Sequence, residues 1–415
     1  MKKVVVIGAG QAGFSLVAKL RTQGFDGAIT MLGAEPTPPY QRPPLSKKYL
    51  LGEMDLERLF LRPETYYQEA DIDLRLGTRA TRVDTEAKTV FTTSDTGSKT
   101  GSNTGNDSFA YDDLVFATGS SPRRLPAAIG GDLDGVYTVR DLRDADAMAP
   151  AFRKDARVLI VGGGYIGLEA AAVAASKGLC VTVVEMADRI LQRVAAPETS
   201  DYFRALHLSH GVDIREGIGL KHLSGDTHVR SATLSDGRVL EVDFVVIGVG
   251  ISPETDLAAA AGIAVENGIT TNALGQTSVP NVWAAGDCAS LPYRGGQIRL
   301  ESVPNAIDQA EVIAQNILGA DLAYHAKPWF WSDQYDVKLQ IAGLNTGYTQ
   351  VVTRAGDKEG AMSFWYYADT TLLAVDAAND PRAYMVGKRL IEAGKSPDPA
   401  HLQDPETDLK ALLKS

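Results

Sequence analysis

The order of apolar and polar positions predicts a strand, a glycine turn, a helix and a second strand at the start of the chain. The run from Lys3 to Ile7 is mainly β-branched, which is typical of a strand buried on both faces of a parallel sheet. Residues 8–13 are rich in glycine, a helical pattern then stops near Gly24, and a second strand is expected at 28–32. Together these features predict a βαβ unit.

The same order recurs in the middle of the chain. A strand is expected at 158–161, a glycine turn at 162–167, a helix at 168–176 and a strand at 180–184. The sequence therefore predicts one type of βαβ unit used twice.

The remaining segments are mostly strand-like. Residues 94–108 are almost purely small and polar, which indicates a flexible hairpin tip or an inserted loop. Apolar runs at 114–117, 243–250 and 281–287 predict further strands, and 304–318 predicts a helix. From about residue 326, aromatic residues alternate with polar ones, which indicates an antiparallel C-terminal domain that finishes in polar helices.

These elements predict an α/β protein. We expect two Rossmann-like dinucleotide-binding domains of the three-layer ββα type and a C-terminal α+β domain, because a chain of 415 residues is too long for one core. The expected ranges are 1–120 with 246–325 for the first domain, 121–245 for the second and 326–415 for the third.

Composition and charge exclude several functions. The net charge of −11 argues against broad binding to nucleic acid or anionic membranes. The apolar runs are too short for a membrane span, and the start of the chain lacks the pattern of a signal peptide, so a cytoplasmic protein is expected. The two cysteines, Cys180 and Cys288, are far apart and are expected to be small buried apolar residues, and the six histidines show no metal-ligand spacing.

The two glycine turns predict dinucleotide sites. A pyrophosphate needs backbone N–H donors at close range, and a glycine turn that opens a helix supplies them. An acidic residue is expected about 20 residues later to bind the adenosine ribose, and Glu35 and Glu185 have this spacing. The first site also has a strand end at Thr118 and Gly119 and an acid at Asp287, which favours FAD there; the minor alternative is that Asp287 caps a helix in the following segment.

The second site is expected to bind a nicotinamide dinucleotide. Glu185 would repel a 2′-phosphate, so NADH is favoured over NADPH, whereas Arg189 would partly offset this preference. Tyr165 is either a lid over the nicotinamide pocket or a packing residue. The residues expected to contact NAD are Gly162, Gly164, Tyr165, Ile166, Gly167, Glu185 and Gly250.

Several longer motifs show a family resemblance. The chain resembles the FAD-dependent pyridine nucleotide-disulfide oxidoreductases, and within them the ferredoxin reductase branch, whose putidaredoxin reductase-like enzymes serve bacterial monooxygenase and dioxygenase systems. The motifs that carry the likeness are GAGQAG at 8–13, PYQRPPLSK at 39–47, GGGYIGLE at 162–169, AAGDCA at 284–289, ESVPNA at 301–306 and WFWSDQ at 329–334.

The resemblance implies non-covalent FAD, NADH as electron donor, and a C-terminal interface domain. It implies that Arg42 and Lys47 approach the flavin, that Lys47 pairs with Glu169 near the nicotinamide, and that Trp331 lies beside the flavin. A helix that begins near Pro304 is expected to direct its positive end towards the reduced flavin. The residues expected to contact FAD are Gly8, Gly10, Gly13, Glu35, Arg42, Lys47, Thr118, Gly119, Asp287, Pro304 and Trp331, and Lys47, Glu169 and Trp331 are the expected catalytic residues.

The electron acceptor is expected to be a separate molecule. Disulfide reductases of this superfamily pass electrons to cysteines early in the FAD domain, where this chain has Pro44-Leu45-Ser46-Lys47. A two-iron ferredoxin is the expected acceptor, and the alternatives are rubredoxin, monodehydroascorbate, a quinone, or a role like that of apoptosis-inducing factor. A monomer or weak homodimer is expected. Docking of an acidic ferredoxin would need a basic patch on this protein. The candidate residues are Lys338, Arg382, Lys388 and Arg389, and the alternative is that they are scattered surface charges.

Overall fold

A computed structural model describes residues 1–94 and 107–414, so most of the predicted loop at 94–108 lies outside the described residues. The strands in these residues are β1 (Lys3–Ile7), β2 (Ala28–Leu32), β3 (Ile72–Arg75), β4 (Thr78–Asp84), β5 (Thr89–Ser94), β6 (Ser108–Ala110), β7 (Asp113–Phe116), β8 (Ser120–Pro122), β9 (Val136–Tyr137), β10 (Arg157–Val161), β11 (Cys180–Glu185), β12 (Asp213–Glu216), β13 (Leu220–Gly225), β14 (Val229–Leu234), β15 (Val239–Glu241), β16 (Phe244–Ile247), β17 (Ile251–Pro253), β18 (Ile269–Thr270), β19 (Val282–Ala284), β20 (Ala289–Tyr293), β21 (Gly296–Ile298), β22 (Trp329–Gln334), β23 (Val337–Gly343), β24 (Gln350–Ala355), β25 (Met362–Ala368) and β26 (Thr371–Ala378). The helices are α1 (Gln11–Thr22), α2 (Thr65–Glu69), α3 (Leu142–Met148), α4 (Tyr165–Ser176), α5 (Pro197–Ser209), α6 (Asp256–Ala260), α7 (Val303–Ile317), α8 (Pro381–Glu392) and α9 (Pro399–Gln403).

The chain divides into two compact units. The first contains Met1–Gln41, Asp55–Ser121 and Ser252–Ala326. The second contains Arg42–Met54, Pro122–Ile251 and Lys327–Ser415. The second unit thus includes most of the residues of two of the expected domains together with the short segment 42–54, and the boundaries of three separate domains stay a prediction.

The first unit has three layers around a parallel sheet with the strand order β19-β7-β1-β2-β3. Alternate residues of β1 face opposite layers, as the period of a strand requires. Val4 and Val6 pack against α1 and α7, whereas Val5 and Ile7 pack towards the antiparallel strands β4 and β5. This is the ββα layering expected for the first Rossmann-like unit.

The nucleotide-binding part of the second unit repeats this arrangement. Its parallel sheet has the order β12-β11-β10-β16-β9. Val158 and Ile160 pack with residues of α4, and Leu159 and Val161 pack with the antiparallel strands β13, β14 and β15. The two similar stretches of sequence therefore form two similar βαβ units, each within a parallel sheet.

The C-terminal part of the second unit is a five-stranded antiparallel sheet with the order β22-β23-β26-β25-β24. One face packs on α8 through residues such as Trp365 and Val375. The other face packs on α4 and α5, where Leu339 and Ile341 contact Leu168 and Phe203. The α/β class with two Rossmann-like units and a C-terminal antiparallel sheet is confirmed.

Four details differ from the prediction. Helix α4 begins at Tyr165, three residues earlier than expected, because the turn leads directly into the helix. Glu185 is the last residue of β11 and does not follow it. Cys288 is buried as expected, but Cys180 is exposed, because it is the first residue of β11 and lies at the exposed end of that strand. Helix α8 is amphipathic, with Tyr384 and Leu390 among its buried residues, because it covers the C-terminal sheet.

Candidate active site

The first glycine turn shows a different requirement at each glycine. Gly8 has φ 120°, and a Cβ there would lie 2.1 Å from the carbonyl oxygen of Ala117. A Cβ at Gly13 would lie 2.0 Å from the carbonyl oxygen of Gly8. A Cβ at Gly10, in contrast, would meet no protein atom within 4 Å. The fold therefore requires the first and third glycines, whereas the second leaves space in front of the turn.

The second glycine turn repeats this pattern. Gly162 has φ 109°, and a Cβ there would lie 2.4 Å from the carbonyl oxygen of Gly248. A Cβ at Gly167 would lie 2.1 Å from the carbonyl oxygen of Gly162, and one at Gly164 would meet nothing within 4 Å. In both turns the absence of a side chain at the first glycine allows the end of the neighbouring strand to approach closely.

The open space at each turn lies at the N-terminus of a helix. Gly10 is the N-cap of α1 and Gly164 is the N-cap of α4, and neither has a side-chain cap. The first backbone N–H groups of such a helix have no partner within the helix, and the helix dipole favours an anion there. Both turns consequently fit a dinucleotide pyrophosphate.

The two predicted ribose acids are held in place. The carboxylate of Glu35 accepts a hydrogen bond from the Tyr40 hydroxyl at 2.5 Å. Glu185 accepts from the backbone N–H of Gly163 and of Ala187, each at 2.8 Å. Glu185 therefore lies against the glycine turn, which is where a ribose-binding carboxylate is expected.

Arg189 is directed towards its own segment. Its guanidinium donates to the Ser200 hydroxyl at 2.5 Å and to the carbonyl oxygen of Ala195 at 2.8 Å. These contacts occupy both terminal nitrogens, so they weaken the case that Arg189 offsets the charge of Glu185.

The other residues predicted for the first site converge on the same turn. Gly286, just before Asp287, is so close to α1 that a Cβ would lie 3.1 Å from Ala12 Cβ. Asp287 accepts from the Ser120 hydroxyl at 3.0 Å. Asp287 lies inside a single 3-10 turn at Gly286–Cys288, and strand β20 follows, so the alternative role as a cap of a following helix is wrong. Thr118, next to Gly119, donates its hydroxyl to the carbonyl oxygen of Glu254 at 2.7 Å.

Helix α7 is tied to this group. Pro304 lies in its first turn, and Ser302 caps it by accepting from the N–H of Asn305 at 3.2 Å. Gln309 accepts from the N–H of Gly286 at 2.9 Å, which connects α7 to the turn that carries Asp287. The first unit thus assembles the glycine turn, Asp287 and the start of α7.

A buried ion pair lies in the second unit. The Lys47 ammonium is 2.6 Å from Glu169 Oε2, and both side chains are largely buried. The other oxygen of Glu169 accepts from the Ser332 hydroxyl at 2.8 Å. The predicted pairing of Lys47 with Glu169 is therefore present in the structure. Ser332 belongs to the WFWSDQ motif, but no role was predicted for it.

The neighbouring predicted residues have distinct positions. Trp331 stacks obliquely on Trp329 with 5.6 Å between ring centroids, on the opposite face of β22 from Ser332. Arg42 donates to the carbonyl oxygen of Arg140 at 2.8 Å. Arg42, Lys47 and Trp331 all belong to the second unit.

Tyr165, Ile166 and Gly250 lie around the second glycine turn. The Tyr165 ring packs in an apolar cluster with Leu168 and Ile190, its hydroxyl is buried, and burial raises its pKa well above the usual range. These contacts favour the packing role over the lid. Ile166 is 49% exposed, and Gly250 follows β16 with φ 100°.

The candidate basic residues are mostly paired with acids. Lys338 contacts Asp333 at 3.4 Å, Arg382 contacts Asp357 and Asp408, and Lys388 contacts Glu392 at 3.9 Å. Their net positive charge is therefore small, which favours the alternative of scattered surface charges.

Residues 1–94 and 107–414 show neither a metal site nor a membrane-spanning helix. They contain no cluster of His, Cys, Asp or Glu suited to a metal ion. None of their helices is long and apolar enough to cross a membrane.

Comparison with known proteins defines the class. The model of the pyridine nucleotide-disulphide oxidoreductase family matches residues 2–310, and the reductase C-terminal family matches residues 329–413. The chain therefore belongs to the pyridine nucleotide-disulphide oxidoreductase family and is an oxidoreductase. Members of this family use FAD and NAD(P)H, so the predicted pair of cofactors is confirmed at the level of the family.

Particular relatives match over the whole chain. The chain is 42% identical to a ferredoxin–NAD(P)+ reductase of Sphingomonas sp., over 99% of this chain and 97% of that protein. It is 39% identical to rhodocoxin reductase of Rhodococcus erythropolis, over 99% and 94% of the two chains. The putidaredoxin reductase structure solved in covalent complex with putidaredoxin has a TM-score of 0.93 and 36% identity, covering 100% of this chain and 98% of that one.

Proposed function

We propose that this protein is an NADH-dependent ferredoxin reductase that supplies electrons to a bacterial oxygenase system through a two-iron ferredoxin. The observation that carries this proposal is the pair of glycine turns, each with its second glycine facing open space at a helix N-terminus. Such a pair suits an enzyme with two dinucleotides. A ferredoxin as electron acceptor is supported by the similarity over nearly the whole chain to a ferredoxin–NAD(P)+ reductase and to putidaredoxin reductase.

The first unit is proposed to hold FAD. When bound, FAD would accept a hydride from NADH and release the electrons singly. The backbone N–H groups at the start of α1 would bind the pyrophosphate, Glu35 would accept from the adenosine ribose, and Asp287 would accept from a ribityl hydroxyl. The proposed residues of this unit are Gly8, Gly10, Gly13, Glu35, Thr118, Gly119, Asp287 and Pro304.

The second unit is proposed to bind NADH. The start of α4 would bind its pyrophosphate, and Glu185 would accept from the 2′-hydroxyl and repel a 2′-phosphate. Because the Arg189 guanidinium donates to Ser200 and Ala195, it offers little compensation for NADPH. The remaining proposed residues for NAD are Gly162, Gly164, Tyr165, Ile166, Gly167 and Gly250. Arg42, Lys47 and Trp331 are proposed to contact FAD, and Lys47, Glu169 and Trp331 are proposed to take part in the reaction.

The cysteines support an external acceptor. Cys288 is fully buried, and burial raises the pKa of its thiol, so the unreactive protonated form predominates. Cys180 is an exposed free thiol. Neither has the character of the dithiol that disulfide reductases place early in the chain, where this protein has Leu45 and Ser46.

The proposal is tested by anaerobic oxidation of NADH with a panel of acceptors. The panel contains two-iron ferredoxins, a rubredoxin, monodehydroascorbate, quinones and ferricyanide. Saturable reduction of a two-iron ferredoxin at low micromolar concentration is the expected result. Rapid ferricyanide reduction with no turnover of any ferredoxin would contradict the proposed acceptor and assign the enzyme to small-molecule substrates.

A further inference from the structure

A continuous chain of hydrogen bonds, buried except at its Tyr335 end, leads to the Glu169 carboxylate. The Ser332 hydroxyl is 2.8 Å from Glu169 Oε1, and Gln334 Nε2 is 3.2 Å from Ser332 Oγ. Gln334 Oε1 is 2.8 Å from His207 Nε2, and His207 Nδ1 is 3.1 Å from the Tyr335 hydroxyl. Ser332, Gln334 and His207 are all 0% exposed. We call Tyr335, His207, Gln334 and Ser332 the donor chain.

The chemistry of its members fixes the direction of the donor chain. A carboxamide nitrogen only donates and its oxygen only accepts, so His207 must carry its proton on Nε2. His207 Nδ1 then accepts from the Tyr335 hydroxyl. Ser332 accepts from Gln334 and donates to Glu169. Every hydrogen bond therefore points towards the carboxylate.

The His207 imidazole is neutral, so it can donate from one nitrogen and accept at the other, as this direction of hydrogen bonding requires. Burial lowers the pKa of His207 to about 4, and the nearby His210 acts in the same sense. His210 also stacks on the Tyr335 ring, with 3.6 Å between ring centroids. One tautomer is consequently expected across the neutral range, with no charge that would compete with Lys47 for Glu169.

The fold brings the donor chain together from two parts of the second unit. Ser332 and Gln334 are two positions apart on β22, so their side chains lie on the same face of the strand. His207 lies on α5 and Glu169 on α4. Tyr335, with φ 55°, lies in the turn between β22 and β23. The C-terminal sheet thus supplies hydrogen-bond donors to a carboxylate of the nucleotide-binding part.

We propose that Ser332, Gln334 and His207 are positioning residues, which hold the Glu169 carboxylate in one orientation so that Lys47 is fixed during flavin reduction by NADH. Glu169 has two oxygens, and the donor chain occupies Oε1 while Lys47 occupies Oε2 at 2.6 Å. Without Ser332 the carboxylate is free to rotate about its last bond, and Lys47 moves with it. This inference rests on the proposed function, because it assigns a task to the Lys47–Glu169 pair.

A purely structural network makes a different prediction. If the donor chain only satisfies buried polar groups, breaking it lowers stability and leaves the rate of flavin reduction in the folded enzyme unchanged. If it positions Glu169, breaking it lowers that rate even where the protein stays folded. A change at His207, which does not contact Glu169, must then reach the carboxylate through Gln334 and Ser332.

The test compares His207→Leu with His207→Gln in the FAD-loaded protein. Leucine removes the donor to Gln334, whereas the glutamine side chain keeps an N–H near the position of Nε2. We expect His207→Leu to lower the limiting rate of flavin reduction at saturating NADH about tenfold, with unchanged equilibrium affinity for NAD+ measured by calorimetry. His207→Gln is expected to recover most of the rate. The matched control is His222→Leu, at an exposed histidine of β13, which should behave as wild type.

Two further measurements keep the inference testable if the His207 variants fold poorly. Ser332→Ala removes only the hydroxyl next to Glu169 and should lower the same limiting rate without changing NAD+ affinity. Nitrogen NMR of the wild-type holoenzyme should show a neutral His207 protonated on Nε2 between pH 6 and 8. Equal rates in wild type, His207→Leu and Ser332→Ala, or a proton on Nδ1, would overturn the inference. Because flavin reduction is measured without ferredoxin, failure of the proposed acceptor would leave these results interpretable.

Discussion

Replacing Gly164 with alanine separates what the fold requires from what the dinucleotide requires. Gly164 has φ −80° and ψ 177°, a conformation open to alanine, and a Cβ there meets no protein atom within 4 Å. Alanine reduces the freedom of the unfolded chain but is a poorer N-cap than glycine. These effects have opposite signs, so the free energy of unfolding should change by less than about 1 kcal/mol.

The effect on the nucleotide should be much larger. The proposed pyrophosphate lies against the N–H groups that follow Gly164, where the added methyl group would take up its space. Forcing a methyl group into a well-packed contact costs about 1–3 kcal/mol. At about 1.4 kcal/mol per factor of ten, this corresponds to NAD+ binding weakened roughly 5- to 150-fold.

The assay is calorimetric titration of the FAD-loaded protein with NAD+, together with flavin content and thermal unfolding. Gly167→Ala is the matched control, because its Cβ would lie 2.1 Å from the carbonyl oxygen of Gly162. That variant should lose stability as well as affinity, since backbone atoms must move. A Gly164→Ala protein with normal stability and normal NAD+ affinity would refute the assignment of this turn to the pyrophosphate.

The remaining predictions concern coenzyme choice and pH. Glu185→Ser should lower kcat/KM for NADH and raise it for NADPH, which steady-state kinetics with both coenzymes will show; an unchanged ratio would mean that Glu185 does not contact the ribose. Burial lowers the pKa of His207 from 6.5 to about 4. The free energy of unfolding should therefore decrease by roughly 3 kcal/mol as the pH falls from about 6.5 to about 4. Urea unfolding measured across this pH range should show no such decrease for His207→Gln. Burial raises the pKa of Asp376 from 3.8 to about 7, so its contribution has the opposite sign and is lost as pH rises from about 4 to 7. Asp376→Asn should abolish this loss, and an unaltered pH profile would contradict the assigned burial.

The parts of the fold that the sequence predicted are those set by local patterns. The run at β1, the glycine turn and the spacing to Glu35 each lie within a short stretch of chain, and the structure has the corresponding elements. The close packing of Gly8 was not predicted because the atom it approaches, the carbonyl oxygen of Ala117, follows β7 and is more than a hundred residues away along the chain. A local sequence pattern does not indicate which strand end will lie next to the glycine turn in the folded protein.

The donor chain was missed for the same physical reason. Ser332 and Glu169 are separated by 163 positions, and His207 and Gln334 by 127. Ser332, His207 and Gln334 are ordinary polar residues within amphipathic patterns, and such patterns predict only that these side chains face solvent. The available signal was the alternation in WFWSDQ, which places Ser332 and Gln334 on one face of a strand. A buried face with two polar side chains needs partners.

The surroundings of the two glycine turns differ in a way that suits one retained and one exchanging ligand. At the first turn, the turn that carries Asp287 packs on Ala12 and is held by Gln309 of α7, so the neighbouring elements are fixed to one another. At the second turn, Ile166 is 49% exposed and Met186, next to Glu185, is 80% exposed. We propose that a bound dinucleotide covers these two exposed apolar side chains and that its departure uncovers them. Their burial would then stabilise the complex only while the dinucleotide is bound, which suits a coenzyme that leaves in every catalytic cycle.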